Sequence, residues 1–334
     1  MMKNLKIKST IIIFSLLSIA FVTISWGIYS HERINNAAVM ALPKPMQTFF
    51  YNHIDFITQE STVPDLRKYT LNDKAEGPRH FIDIENFGSF DSIPHQFDKA
   101  KKKYDEKFLS NNGILPWYIQ EVMTKLTKAF KEKRKTEILF LAADLGHYIG
   151  DANMPLHTSA NHNGQLTNQK GIHSLFESAI PEMFGKNYNY YTGEAQYVEN
   201  IELATWAMLQ DSHRLVEPLL LIDRKLREKY TDDKMYLTDQ NGKIIKNKFN
   251  DITFSKDYTA NLHEALNGMV EKQIRKSIIT TTNFWYTAWI NAGKPNLDDL
   301  DMKEKTNRNA NKLKQDLKLW KKGKLFGLES EKDF

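Results

Sequence analysis

"TEILFLAADLGHYIGDA", residues 136–152, is apolar on almost every face of a helix, and that property decides the fold. Such a helix must be surrounded by other helices rather than lie on a surface. It is therefore expected at the centre of an all-α domain. Yet it carries His147 and Asp151, groups that are costly to bury unless something compensates them. They stand four residues apart, on one face and one turn apart. Pro155 closes the segment and His157 follows.

Helical spacing continues on both sides. Residues 33–60 read as two helices broken at Pro43 and Pro45, and 116–135 as a helix opening on Pro116. Residues 171–184 read as another. Residues 258–293 give one or two long helices that stop at Gly293, with Pro295 beyond. Three stretches break the pattern. Residues 71–94 read as a long loop, and 238–254 can hold a hairpin at Asn241–Gly242. Residues 302–334 are polar and lysine-rich, read as a solvated helix with a polyanion contact as the alternative. No internal repeat is visible. The expectation is a single multi-helix domain over 26–298, with 299–334 as a C-terminal tail.

The 334 residues are 41% hydrophobic and 12% aromatic, enough for a sizeable core. Residues 1–25 pair a lysine-bearing start with the apolar run "IIIFSLLSIAFVTI" and end on Ser25, which reads as a signal peptide cleaved between Ser25 and Trp26. The competing reading is an uncleaved membrane anchor, for which the run is short. No cysteine precedes Trp26, so lipidation has no acceptor, and none follows, so the exported chain is stable without disulfides. Export to the periplasm or the extracellular space is the expectation. Of the net charge of +5, Lys3, Lys6 and Lys8 account for three, leaving +2 on the mature chain. That is too little to argue by itself for nucleic acid or an anionic membrane.

A second His-x-x-x-acid pair, His173 and Glu177, repeats the His147/Asp151 geometry. One such pair alone is more often a structural hydrogen bond, and a lone histidine on an apolar helix a satisfied core residue. Two pairs with His157 between them favour a metal, and imidazole with carboxylate suits zinc. Further candidates lie upstream in Asp65, His80 and His31, while cleavage before Trp26 would free an α-amine that can ligate a metal.

In this order Trp26, His31, Asp65, His80, His147, Asp151, His157, His173 and Glu177 resemble the trinuclear-zinc superfamily. That superfamily unites bacterial zinc-dependent phospholipase C with the single-strand-specific zinc nucleases of fungi and plants. The resemblance covers residues 26 to about 182 and implies an all-α fold around three zinc ions. One ion would be held by Asp65, His80, His147 and Asp151, a second by His157, His173 and Glu177. The third would take the Trp26 amine and carbonyl with His31 and share Asp151. The implied chemistry is phosphodiester hydrolysis by a metal-activated hydroxide, with Asp65 orienting or deprotonating the water.

For the substrate the resemblance points two ways. The step from Trp26 to His31 and the run "HFID" resemble the nucleases, where the counterparts of Phe81 and Asp83 stack on and hydrogen-bond a base; Lys68 matches a phosphate-contacting position, and Gly164 and Gln165 a base-pocket loop. Glu177 in place of aspartate and the absence of cysteine look more like the phospholipase. Core packing is the competing part for Phe81. The expectation leans to nucleic acid or a nucleotide as partner, with phospholipid as the alternative and no obligate protein partner. A catalytically dead, metal-stabilised surface protein is a further alternative that a missing ligand would signal, and none is missing. A membrane-anchored scaffold would need the N-terminal segment retained, which would block Trp26.

Overall fold

The computed structural model describes residues 27–246, 252–300 and 307–326. Over these residues the protein is all-α, with isolated β-bridges and no longer strand. Trp26 and the expected signal peptide lie outside them. Among the described residues no helix is long and apolar enough to cross a membrane.

The decisive stretch forms the helix Lys135–Asn153, and from Leu145 to Asn153 every residue of it is buried. Around this central helix pack Leu115–Lys131, Met269–Asn291, Ile54–Glu60 and the N-terminal helix Ile28–Ala38. Trp285 of the long helix lies on Phe50 with ring centroids 4.9 Å apart, and its indole N–H donates to the Ala142 carbonyl at 3.0 Å. Each fully buried side chain of this kind contributes roughly 1.5–3 kcal/mol.

The central helix tolerates Gly146 and Gly150 because the N-terminal helix crosses there. A Cβ on Gly146 would lie 1.8 Å from Asn35 Oδ1, and one on Gly150 would lie 2.9 Å from His31 Nδ1. The crossing places the His31 and His147 rings in a stack 3.9 Å apart. The glycines of "LGHYIGD" are thus what lets a second helix deliver its histidine beside the first.

Several elements differ from their sequence reading. Residues 33–60 form three helices, Ile28–Ala38, Lys44–Asn52 and Ile54–Glu60, because the chain breaks at His53 as well as at the prolines. The stretch 71–94 folds into three short 3₁₀ turns, Gly77–His80, Ile84–Phe87 and Phe90–Ser92. The helix of 171–184 contains a π turn at Leu175–Ala179. The hairpin expected at Asn241–Gly242, by contrast, is present: Asp239 N–H donates to the Lys243 carbonyl at 2.9 Å and Thr238 bridges Ile244, while Tyr236 bridges Phe254. In the tail, Asn307–Trp320 is a helix with one face docked, where Tyr51 donates to Asp316 at 3.1 Å and Asn309 to Asp55 at 3.0 Å.

Candidate metal centre

Six elements deliver side chains to one buried point. The N-terminal helix brings His31, the helix Val63–Tyr69 brings Asp65 and the turn Gly77–His80 brings His80. His147 and Asp151 come from the central helix. His157 sits in the 3₁₀ turn Pro155–Thr158 that Pro155 forces after it, and His173 and Glu177 lie on the segment with the π turn.

Asp151 is the hub. Its Oδ2 lies 3.0 Å from His80 Nδ1 and 3.2 Å from His147 Nε2, and its Oδ1 lies 3.1 Å from His157 Nδ1 and 3.6 Å from His31 Nε2. Glu177 faces the other flank, 2.8 Å from His173 Nε2, 3.7 Å from His157 Nε2 and 3.6 Å from His31 Nε2. Asp65 Oδ1 is 3.7 Å from His80 Nδ1. The structure therefore brings together all eight expected ligands that it describes. Their atoms fall into four overlapping triples with ligand atoms within 4.8 Å of one another: His31–Asp65–His147, His80–His147–Asp151, His157–His173–Glu177 and His31–Asp151–Glu177. The third triple coincides with one of the implied zinc sites; the others overlap the implied sets and divide Asp65 and Glu177 differently.

Whether these residues suit a cation is answered by their unmet bonds. Both ring nitrogens of His31, Nε2 of His80 and Nδ1 of His157 are buried with no partner in hydrogen-bonding geometry, although His31 Nε2, His80 Nε2 and His157 Nδ1 lie beside carboxylates. Such atoms are costly to leave unmet, and a cation among carboxylates would satisfy those that face the centre. The remaining rings are aimed by outer partners, as metal-ligating histidines generally are. His147 Nδ1 donates to the Ser61 carbonyl at 2.7 Å and His173 Nδ1 to that of His162 at 2.9 Å, which leaves each Nε2 facing the centre.

Without a cation the site is held as ion pairs. Burial opposes the charged forms of His147 and His157, but Asp151, joined by Glu177 at His157, lifts the two imidazoles to about 9 and about 10. In return these histidines hold Asp151 and Glu177 well below the carboxylate range despite their burial.

Sequence reasoning missed the group behind His80. Glu76 is fully buried, with Oε1 3.4 Å from His80 Nε2. It accepts from Arg67 at 3.0 Å, from Arg79 at 2.9 Å and from the Tyr148 hydroxyl. Burial opposes its ionisation, yet His80, Tyr148 and Arg67 keep its carboxyl well below the usual range. Glu76 precedes His80 by the same four residues that separate His147 from Asp151, but in a stretch that reads as a loop, where that spacing carries no shared face.

The centre opens into a cleft of about 430 Å³. Asp65, Lys68, Tyr69, Phe81 and Asp83 line it together with His80, His157, His173 and Glu177. Phe81 is half-buried and stands apart from the hydrophobic core cluster. Its backbone is gripped by Gly113, at φ 86°, where a Cβ would lie 2.0 Å from the Phe81 carbonyl oxygen. Burial, with Glu85 nearby, pushes the Asp83 carboxyl up to about 6. Burial opposes the charge on Lys68, but Tyr69, Asp65 and Asp151 hold its ammonium above the ordinary value. Gly164 and Gln165 are placed otherwise than expected. The Gln165 amide turns back on its own loop, accepting from Asn163 N–H at 2.8 Å and donating to the Ala160 carbonyl at 2.7 Å, and His162 and Asn163 take the cleft wall.

A family model described as S1/P1 Nuclease matches residues 26–279. No curated protein sequence matches the chain significantly.

Proposed function

Because the chain belongs to the S1/P1 nuclease family, whose members hydrolyse phosphodiester bonds with the help of metal ions, we propose that it is an exported, zinc-dependent nuclease of single-stranded nucleic acid or nucleotides. The observation that carries this reading is the side wall of the cleft, where Phe81 is free of the core and Asp83 stands beside it, both next to the eight gathered ligands. An aromatic face in that place stacks on any base, worth roughly 1–3 kcal/mol per base. Asp83 accepts hydrogen bonds from a base edge when ionised.

Asp65, His80, His147 and Asp151 would hold one zinc ion, His157, His173 and Glu177 a second, and His31 a third together with Asp151 and the Trp26 amine. Zinc ions in such a cluster supply charge neutralisation at the phosphoryl oxygens and water acidic enough to attack at neutral pH. The chain's own groups do the rest. Asp65, on the cleft side of the centre, orients the attacking water and takes its proton. Lys68 meets a phosphate oxygen, and Phe81 fixes the adjoining base so that the phosphodiester lies over the centre. Support for Trp26 as a ligand comes from its neighbour: the Gly27 N–H donates to Ser178 Oγ at 2.9 Å, one residue from Glu177. A free amine at Trp26 requires removal of residues 1–25, which ties the zinc reading to export.

The test is activity of the metal-loaded mature protein on single-stranded DNA, RNA, a 3'-nucleotide and phosphatidylcholine side by side, with mass spectrometry of the N-terminus. Cleavage of the nucleic acids, abolished by a chelator, and a chain starting at Trp26 are expected. Hydrolysis of phosphatidylcholine alone would replace the nuclease reading with a phospholipase C.

A further inference from the structure

The helix Asn307–Trp320 and the turn after it lie beyond the residues that the family model matches. Its inner face is fixed by the Tyr51–Asp316 and Asn309–Asp55 hydrogen bonds and by Trp320, whose ring lies 4.5 Å from that of Tyr191. Beyond the turn the chain is pinned again, where Tyr190 N–H donates to the Leu325 carbonyl at 2.7 Å. Exposed on the outer side are Lys314 and Lys318, followed by Lys321, Lys322 and Lys324 in the segment after the helix. The one acid among residues 307–326, Asp316, is buried and already committed to Lys312 and Tyr51. Among the described residues, none of these exposed cations forms an ion pair.

Lys314 and Lys318 fall at i and i+4 on the helix, about 6 Å apart along its axis, and Lys321 and Lys322 follow in the turn that closes it. A solvated helix keeps acids among its lysines to limit self-repulsion. Among the described residues 307–326, this one has no exposed acid to offset its cations. None of these residues lines the cleft.

We propose that this stripe is a second contact surface for the phosphate backbone of a single-stranded nucleic acid, engaging a stretch of strand outside the catalytic cleft. The proposal rests on the nuclease reading for its choice of polyanion. Exposed cations with no aromatic side chain exposed among Lys314, Lys318, Lys321 and Lys322 suit a backbone and carry no base preference. Long strands then bind both surfaces, and each gains from the effective concentration supplied by the other. Short substrates reach only the cleft.

The experiment replaces Lys314, Lys318, Lys321 and Lys322 by Gln together, with a second variant bearing Arg at the same positions. Gln keeps the helix propensity, and circular dichroism with a thermal scan checks that the fold is retained. Cleavage of a 30-nucleotide single strand and of a dinucleotide is followed against salt concentration. Binding of the 30-mer to chelator-treated protein is measured by anisotropy. The Gln variant should raise KM for the 30-mer about tenfold at moderate salt, leave the dinucleotide unchanged and flatten the salt dependence of 30-mer binding, each lost phosphate contact lowering the slope by about 0.7. The Arg variant should behave as wild type. If 30-mer binding and KM are unchanged in the Gln variant, the stripe is a solvated face and the proposal fails. If the wild type binds vesicles containing phosphatidylserine through these lysines but does not bind the 30-mer, the surface serves a membrane and the proposal fails. If neither substrate is cleaved although the 30-mer binds through the stripe, the stripe stands and the nuclease reading fails.

Discussion

A histidine can ligate only if its other ring nitrogen is occupied correctly, and for His80 that is the task of Glu76. Glu76→Gln keeps the size and removes the charge, so His80 should lose its fixed orientation and metal affinity should fall 10- to 100-fold. Metal titration of the purified variant checks this, with circular dichroism as the fold control, and an unchanged affinity would leave Glu76 as a partner of Arg67, Arg79 and Tyr148 alone. Across the cleft the residue to test is Asp83. Its carboxyl is raised to about 6, chiefly by burial, so it is ionised above that pH and neutral below it. Cleavage of nucleic acid should therefore weaken as pH falls through about 6, and Asp83→Asn should remove that step while a nitrophenyl phosphodiester keeps its own profile. Phe81→Ala should raise KM for single strands about tenfold or more, in line with the loss of one stacked base, and spare the small ester. His147/Asp151 and His173/Glu177 were legible from their helical spacing, and the other ligands from the resemblance in which they fall in order. Glu76 was not, because it sits in a stretch that reads as a loop, and only the 3₁₀ turn at Gly77–His80 aims its carboxylate at the far side of His80.

At the scale of elements, the central helix makes the site possible by what it lacks. Gly146 and Gly150 let Ile28–Ala38 approach closely enough for His31 to stack on His147. Gly146→Ala would force Asn35 out of its hydrogen bonds to the Ala143 and Ile57 carbonyls. Overpacking of this kind typically costs about 1–3 kcal/mol, and the shift should loosen His31 as well. A thermal scan paired with metal analysis is the check; unchanged Tm and unchanged metal content together would show that the crossing has slack. The helical spacing of 116–135 and the near-continuous apolar run of 136–152 were enough to assign their helices, since neither pattern needs tertiary information. The break at His53 and the π turn at Leu175–Ala179 were not legible, because neither changes the spacing of apolar residues. Both arise where packing around the site, not local propensity, chooses the backbone. Gln165 shows the same limit in a loop, where competition among local acceptors turned its amide away from the cleft.

For the molecule as a whole, the buried cluster ties six elements together, so metal binding and folding share free energy. The metal-free protein substitutes ion pairs for cations, and these are sensitive to pH in a known direction. Histidines raised to about 9 and about 10 contribute stability that is full below their ordinary value of about 6.5 and is lost as pH rises through the raised values. Asp151 and Glu177, held low mainly by those histidines against the effect of burial, contribute stability that is present above the ordinary carboxylate range and lost as pH falls through their depressed values. Between the ordinary carboxylate range and about pH 6.5 both contributions are full, and the chelator-treated protein is at its most stable. Above that window its histidines release their protons and leave two buried carboxylates unpaired. Bound cations remove the dependence, because they need the histidines neutral and supply the positive charge themselves. The Tm difference between zinc-loaded and chelator-treated protein should accordingly widen as pH is raised from 7 to 10, through loss in the stripped form. Thermal scans of both forms at unit pH steps measure it, and a difference that stays constant across that range would mean that His147 and His157 are not the charges holding the metal-free centre together.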